Sequence, residues 1–112
     1  MRAETLKGHL DGLLLASLEA GPRHGYAIIE ALRSGSGGQF DLPTGTIYPA
    51  LRRLEQAGLI QGTWSQASGR QRRVYDLTPA GRRMLADERG TWQKFSAAVN
   101  ALLEPTPQPV TP

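Results

Sequence analysis

Cysteine is absent from the 112 residues. Disulfides, thiol nucleophiles and cysteine-ligated zinc are thereby excluded, and a reducing compartment is suited. Histidine occurs only at His9 and His24, on what read as separate helices, so no metal cluster is expected. No run approaches the roughly 18 apolar residues of a membrane span. The opening MRAETLKGHLDG lacks the apolar core of a signal peptide, so a cytoplasmic location and no membrane partner are expected. There is no glycine-rich phosphate loop and no nucleophile–base–acid set. An enzyme is not expected, nor a cofactor.

What the chain does have is unevenly placed positive charge. Residues 1–42 carry four basic and five acidic side chains, residues 43–73 five arginines and one acid, and residues 74–112 four of each. The central segment therefore holds a charge of +4 within an overall +3. Clustered charge of this kind fits a polyanion, although a solvated face gives the same count.

Apolar periodicity gives a chain order. Leu6, Leu10, Leu13, Leu14 and Leu18 predict an amphipathic helix over about residues 4–19. A second helix runs from about His24 to Arg33, followed by the Gly/Ser connector SGSGGQFDLP. A third covers PTGTIYPALRRLEQAG and is closed by Gly58. Leu59–Trp64 and Arg72–Leu77, flanking the polar stretch SQASGRQ, read as a β-hairpin. Thr78 and Pro79 start a helix that continues to about Leu103. The tail EPTPQPVTP reads as disordered. The fold class is mainly α with a small β-hairpin. A winged helix-turn-helix over residues 1–77 is followed by a C-terminal dimerisation helix over 78–103 and a tail over 104–112.

The third helix is the one such a plan presents to DNA. With Leu51 at the centre of its buried face, Ile47, Leu54 and Gly58 join the core side. Thr46, Pro49 and Arg53 fall opposite, flanked by Gly45, Ala50 and Gln56; Tyr48 and Arg52 lie on the border, Tyr48 packing its ring and offering its hydroxyl to the DNA backbone. Slim residues suit entry to a major groove about 12 Å wide. Thr44 and Thr46 at the helix start can bond a base edge or phosphate, Arg53 a guanine or phosphate, Arg52 a phosphate. Pro49 either fixes the start of the helix or touches a thymine methyl or a sugar. Tyr26 and His24 open the second helix, where the phosphate backbone passes. Tyr26 equally fits a half-buried aromatic with a wet tip. Strand alternation puts Arg73, Tyr75 and Leu77 on one face and Arg72 and Val74 on the other, so one of Arg72 and Arg73 points away from the core; Arg70 and Arg72 are the favoured DNA contacts.

Three stretches together, LLLASLEAGPRHGYAIIEAL, GTIYPALRRLEQAGLI and GRQRRVYDLTPAGRRML, resemble the PadR family of bacterial transcriptional regulators, in its short form with one C-terminal helix. The resemblance covers about residues 6 to 103 and implies a dimeric repressor on a palindromic operator. A helix from Pro79 to Leu103 would be about 37 Å long, more than so small a domain can cover. Leu85, Trp92 and Val99 repeat by sevens, with Phe95 and Leu102 at the complementary spacing, a seam for a partner helix that Glu88 interrupts. Leu6 and Leu10 on the first helix join the expected interface. Trp92 matches a position where some short relatives stack a planar aromatic effector between subunits; it also fits an interface tryptophan that only fills space. The competing function is a winged-helix protein-interaction module that never touches DNA.

Overall fold

The computed structural model describes residues 6, 8–67 and 69–105. Its elements are α1 (Leu10–Ser17), β1 (Arg23–His24), α2 (Gly25–Gly35), α3 (Thr44–Gln56), β2 (Ile60–Ala67), β3 (Arg70–Leu77) and α4 (Pro79–Leu103). Three helices, a hairpin and a long helix appear in the expected order. Residues 106–112 of the expected tail lie outside the described residues.

The first helix is shorter than residues 4–19. Gly8 adopts a positive φ of 87°, and the His9 N–H closes a separate turn on the Leu6 carbonyl at 2.8 Å. Leu6 still reaches the core, so the apolar spacing survives a break in the backbone. At the other end Leu18 leaves helical geometry as the C-cap, and the chain turns through Gly21 and Pro22 into β1.

That strand is two residues long and was not expected. It pairs antiparallel with β3, Arg23 opposite Tyr75 and His24 opposite Val74, giving a three-stranded sheet of order β1-β3-β2. The hairpin is also longer than its β-formers indicated. Ser65, Gln66 and Ala67 pair with Arg72, Gln71 and Arg70, so most of the polar stretch is strand. Gly69, at φ 73°, supplies the left-handed residue that a short reversal needs.

Leu14, Leu15 and Leu18, Ile28 of α2, Ile47, Leu51 and Leu54 of α3, and Ile60 of β2 are sealed from water. Each contributes on the order of 2 kcal/mol by leaving water. Tyr75, Leu77 and Leu85 close the cluster from the sheet and from α4. Thr78 fastens α4 to this body. Its Oγ1 accepts from Gly81 N–H at 3.0 Å and donates to the Gly58 carbonyl at 2.6 Å. Beyond the first turns α4 meets α1 along one side. Arg89 donates twice to the Glu19 carboxylate, at 2.9 and 3.0 Å. That bond holds the Glu19 carboxyl below the usual carboxylate range. The clip is therefore present at neutral pH and is lost as the pH falls through the lowered value.

Gly81 is the tightest joint. A Cβ there would stand 1.9 Å from the Leu59 carbonyl oxygen, which is backbone and cannot swing aside. Gly81→Ala is expected to cost roughly 2–4 kcal/mol by forcing α4 off the α3–β2 corner. Thermal denaturation checks this; a loss no larger than that of Gly90→Ala, whose added Cβ meets nothing, would contradict it.

Candidate nucleic-acid interface

The buried stripe of α3 determines which residues face outward. Ile47, Ala50, Leu51 and Leu54 are buried, a pattern spaced i, i+3, i+4, i+7. Its centre lies about 50° to one side of Leu51 on a 100° wheel. Ala50, placed by the sequence reading on the DNA side, is 2% exposed and belongs to the core. The outward face of α3 is rotated accordingly. Gly45, Pro49, Arg52 and Gln56 now stand opposite the stripe, all exposed. Thr46 turns to a half-buried flank, and Arg53 turns toward α1, where it forms an ion pair with Asp11. Thr44 is exposed at the start of the helix.

Pro49 lies deeper than expected. The N-cap is Pro43, whose carbonyl takes the N–H groups of Thr46 and Ile47 at 3.0 and 3.1 Å. Pro49 is thus the sixth helical residue, past the turn whose amides are free. It supplies no N–H to the Gly45 carbonyl, and both residues are on the exposed side. The far end closes on Gly58, at φ 76°. Gly58 N–H bonds the Glu55 carbonyl and Leu59 N–H the Leu54 carbonyl, each at 3.0 Å, the paired bonds of a Schellman motif.

At the head of α2, His24 is the N-cap, and its Nδ1 accepts from Ala27 N–H at 3.3 Å. Its Nε2 lies 3.1 Å from Nη1 of Arg72 on β3. A neutral imidazole has one acceptor nitrogen. Arg72 has donors only, so it donates to Nε2 when that nitrogen is unprotonated; whether Nδ1 or Nε2 accepts depends on the tautomer. The exposed guanidinium beside the ring suits a phosphate oxygen. Tyr26, 67% exposed, meets Tyr48 edge-on at 6.4 Å. Burial pushes the Tyr48 phenol above its ordinary value, so its hydroxyl remains a neutral donor. Gly25 permits that packing, since a Cβ there would lie 2.3 Å from the Tyr48 hydroxyl.

The wing carries Arg70 and Arg72 exposed on β3. Arg73 is different. It pairs with Glu55 of α3 and lies 5.4 Å from the Trp64 ring centroid. Glu55 also accepts from Gly62 N–H at 3.2 Å. One carboxylate thus ties helix to hairpin, a role absent from the sequence reading. Its signal was there: Glu55 is the sole acid in the +4 segment.

The residues assigned to a dimer interface divide in two. Leu6 and Leu85 are buried in the chain's own core, each 5% exposed, and Leu10 packs against it. Val99 is half-buried. Trp92, Phe95 and Leu102 are 51%, 56% and 87% exposed. Between α1 and α4 lies a groove of about 560 Å³ lined by Leu13, Phe40, Leu85, Trp92 and Phe95, with His9, Glu88 and Arg89 as its polar residues. His9 meets the Trp92 ring edge-on at 5.1 Å.

A helix-turn-helix whose third helix exposes a polar face, beside a basic hairpin, defines a winged-helix protein of the DNA-binding class. The profile of the transcriptional regulator PadR-like family matches residues 14–87, and the chain belongs to that family. It is 36% identical to a transcriptional regulator of Mycobacterium tuberculosis over 77 residues, 69% of this chain and 59% of the relative. A crystal structure of a PadR-like transcriptional regulator from Bacillus cereus superposes with a TM-score of 0.80 at 31% identity, covering 92% of this chain and 99% of that one. A PadR family regulator from Clostridium difficile gives 0.76 at 33% identity, covering 86% and 99%. The chain is thus a transcriptional regulator and not an enzyme.

The Glu55 joint is testable. Glu55→Ala removes both the ion pair and the acceptor for Gly62, and is expected to cost about 1–2 kcal/mol. Glu55→Gln keeps the acceptor and should cost about half of that. Urea denaturation separates them; equal stability of all three proteins would refute the joint.

Proposed function

We propose that this regulator is a repressor that binds a palindromic operator as a homodimer and is released by a planar aromatic effector. The observation that carries the assembly is α4. Of its 25 residues only Gly81 and Leu85 are buried, while Trp92, Phe95, Leu102 and Leu103 face solvent. Trp92, Phe95, Val99 and Leu102 follow the i, i+3, i+7, i+10 spacing of a helix-pairing seam. A second copy laid on it would remove the apolar surface and place two recognition helices on one duplex, which calls for a symmetric operator.

In this reading residues 1–77 bind DNA, residues 78–103 dimerise, and 104–112 form a tail; the location is cytoplasmic. Gly45, Pro49 and Arg52 lie closest to the base edges, with Thr44, Thr46 and Gln56 around them. Arg53 serves DNA only by leaving Asp11. Arg70 and Arg72, the latter beside His24, hold phosphates. The effector occupies the groove beside Trp92, where a flat ring stacks on the indole and Phe95.

Binding to a labelled duplex from the chromosomal region upstream of its own coding sequence, followed across salt concentrations, tests the DNA contacts. Arg70→Ala should weaken all duplexes alike and lower the salt slope by about one. Asp11→Asn should tighten binding by about two- to fivefold, because Arg53 no longer surrenders an ion pair worth at most about 1 kcal/mol. Weaker binding by Asp11→Asn would overturn the role given to Arg53. Sedimentation equilibrium should find a dimer in the native chain and a monomer in Phe95→Asp. A native monomer would remove the assembly.

A further inference from the structure

Trp64 is used neither by the core nor by the α4 seam. It is 66% exposed on β2, in a strand whose other exposed residues are small or polar. Register fixes its direction. Ile60 pairs with Leu77, Gly62 with Tyr75, and Trp64 with Arg73. Paired residues share a face, so the indole points to the side on which Tyr75 and Leu77 enter the core, but farther out along the hairpin. Arg73 lies over the ring and is itself tied to Glu55 of α3. The indole is therefore fixed in the angle between the recognition helix and the wing.

Arg52 stands exposed on the outward face of α3, and Arg73 lies on the ring's own side. Arg70 and Arg72, exposed on β3, alternate to the opposite side of the hairpin. Glu55 is already matched by Arg73. Such a surface attracts a polyanion and repels a second copy of itself. We propose that Trp64 is a DNA contact, its free face packing on a deoxyribose of the backbone that passes between helix and wing, with Arg52 on a neighbouring phosphate. The inference rests on the DNA-binding reading and adds to it an apolar contact that releases no counterions.

That last property gives the test. The full-length protein is labelled with fluorotryptophan, and its two resonances are assigned with Trp64→Phe. A mixed-sequence duplex of about 20 base pairs is then titrated in, with fluorine NMR and anisotropy of the labelled DNA read together. The Trp64 resonance should shift in step with binding. Trp64→Ala should bind about tenfold more weakly at every salt concentration with an unchanged salt slope, and Trp64→Phe should recover most of the loss. Binding with an unmoved Trp64 resonance, or unaltered affinity in Trp64→Ala, would overturn the contact. So would a reduced salt slope in Trp64→Ala, which would mean that the ring only positions the wing arginines. A native protein that bound no duplex at all would instead overturn the DNA-binding reading, and this contact with it.

Discussion

Burial of one stripe of α3 is the constraint on which the rest depends. Ile47, Ala50, Leu51 and Leu54 are all but closed to water, and four such residues along 13 leave the helix no freedom to roll. Rotation follows from packing, and presentation follows from rotation. Gly45, Pro49, Arg52 and Gln56 face outward because nothing else is left for the opposite side. The Glu55 carboxylate then holds the hairpin against the same helix through Arg73 and Gly62, so the wing arginines keep a fixed position relative to the outward face. Reading DNA needs that fixed geometry more than it needs further stability.

The second constraint is length. A domain of this size covers about the first half of a 25-residue helix. Gly81 against Leu59 and Leu85 in the core anchor α4, and the Arg89–Glu19 clip carries the contact with α1 further along. Past it Trp92 meets His9, and beyond that the helix has an apolar side that the described residues leave exposed. The uncovered surface is thus a consequence of the fold, and the proposed dimer turns it into a means of pairing two recognition helices.

Much of this was legible in the sequence because it rests on local physics. Helical spacing located the long elements, Thr78-Pro79 marked the start of α4, and Gly58 marked the end of α3. What escaped was tertiary. Ala50 is small enough to suit either a groove or a core, and only its neighbours Ile47 and Leu54 decide between them. Centring the wheel on Leu51 alone exchanged the roles of the two arginines: Arg52 faces outward, and Arg53 is engaged by an aspartate 42 residues earlier. Leu6 and Leu85 fit the interface pattern in sequence but are enclosed by their own chain. Strand β1 is two residues without β-forming character and exists because β3 offered it an edge.

The central claim is that the face carrying Gly45, Pro49, Arg52 and Gln56, continued by Arg70 and Arg72, is the surface that meets DNA. Mapping amide chemical shifts of the full-length protein while a duplex carrying its operator is added tests it most directly. The account predicts the largest changes at the outward residues of α3 and along β3 near the tip, with the outer half of α4 little affected. Changes concentrated on α4, with α3 and the wing unmoved, would contradict it.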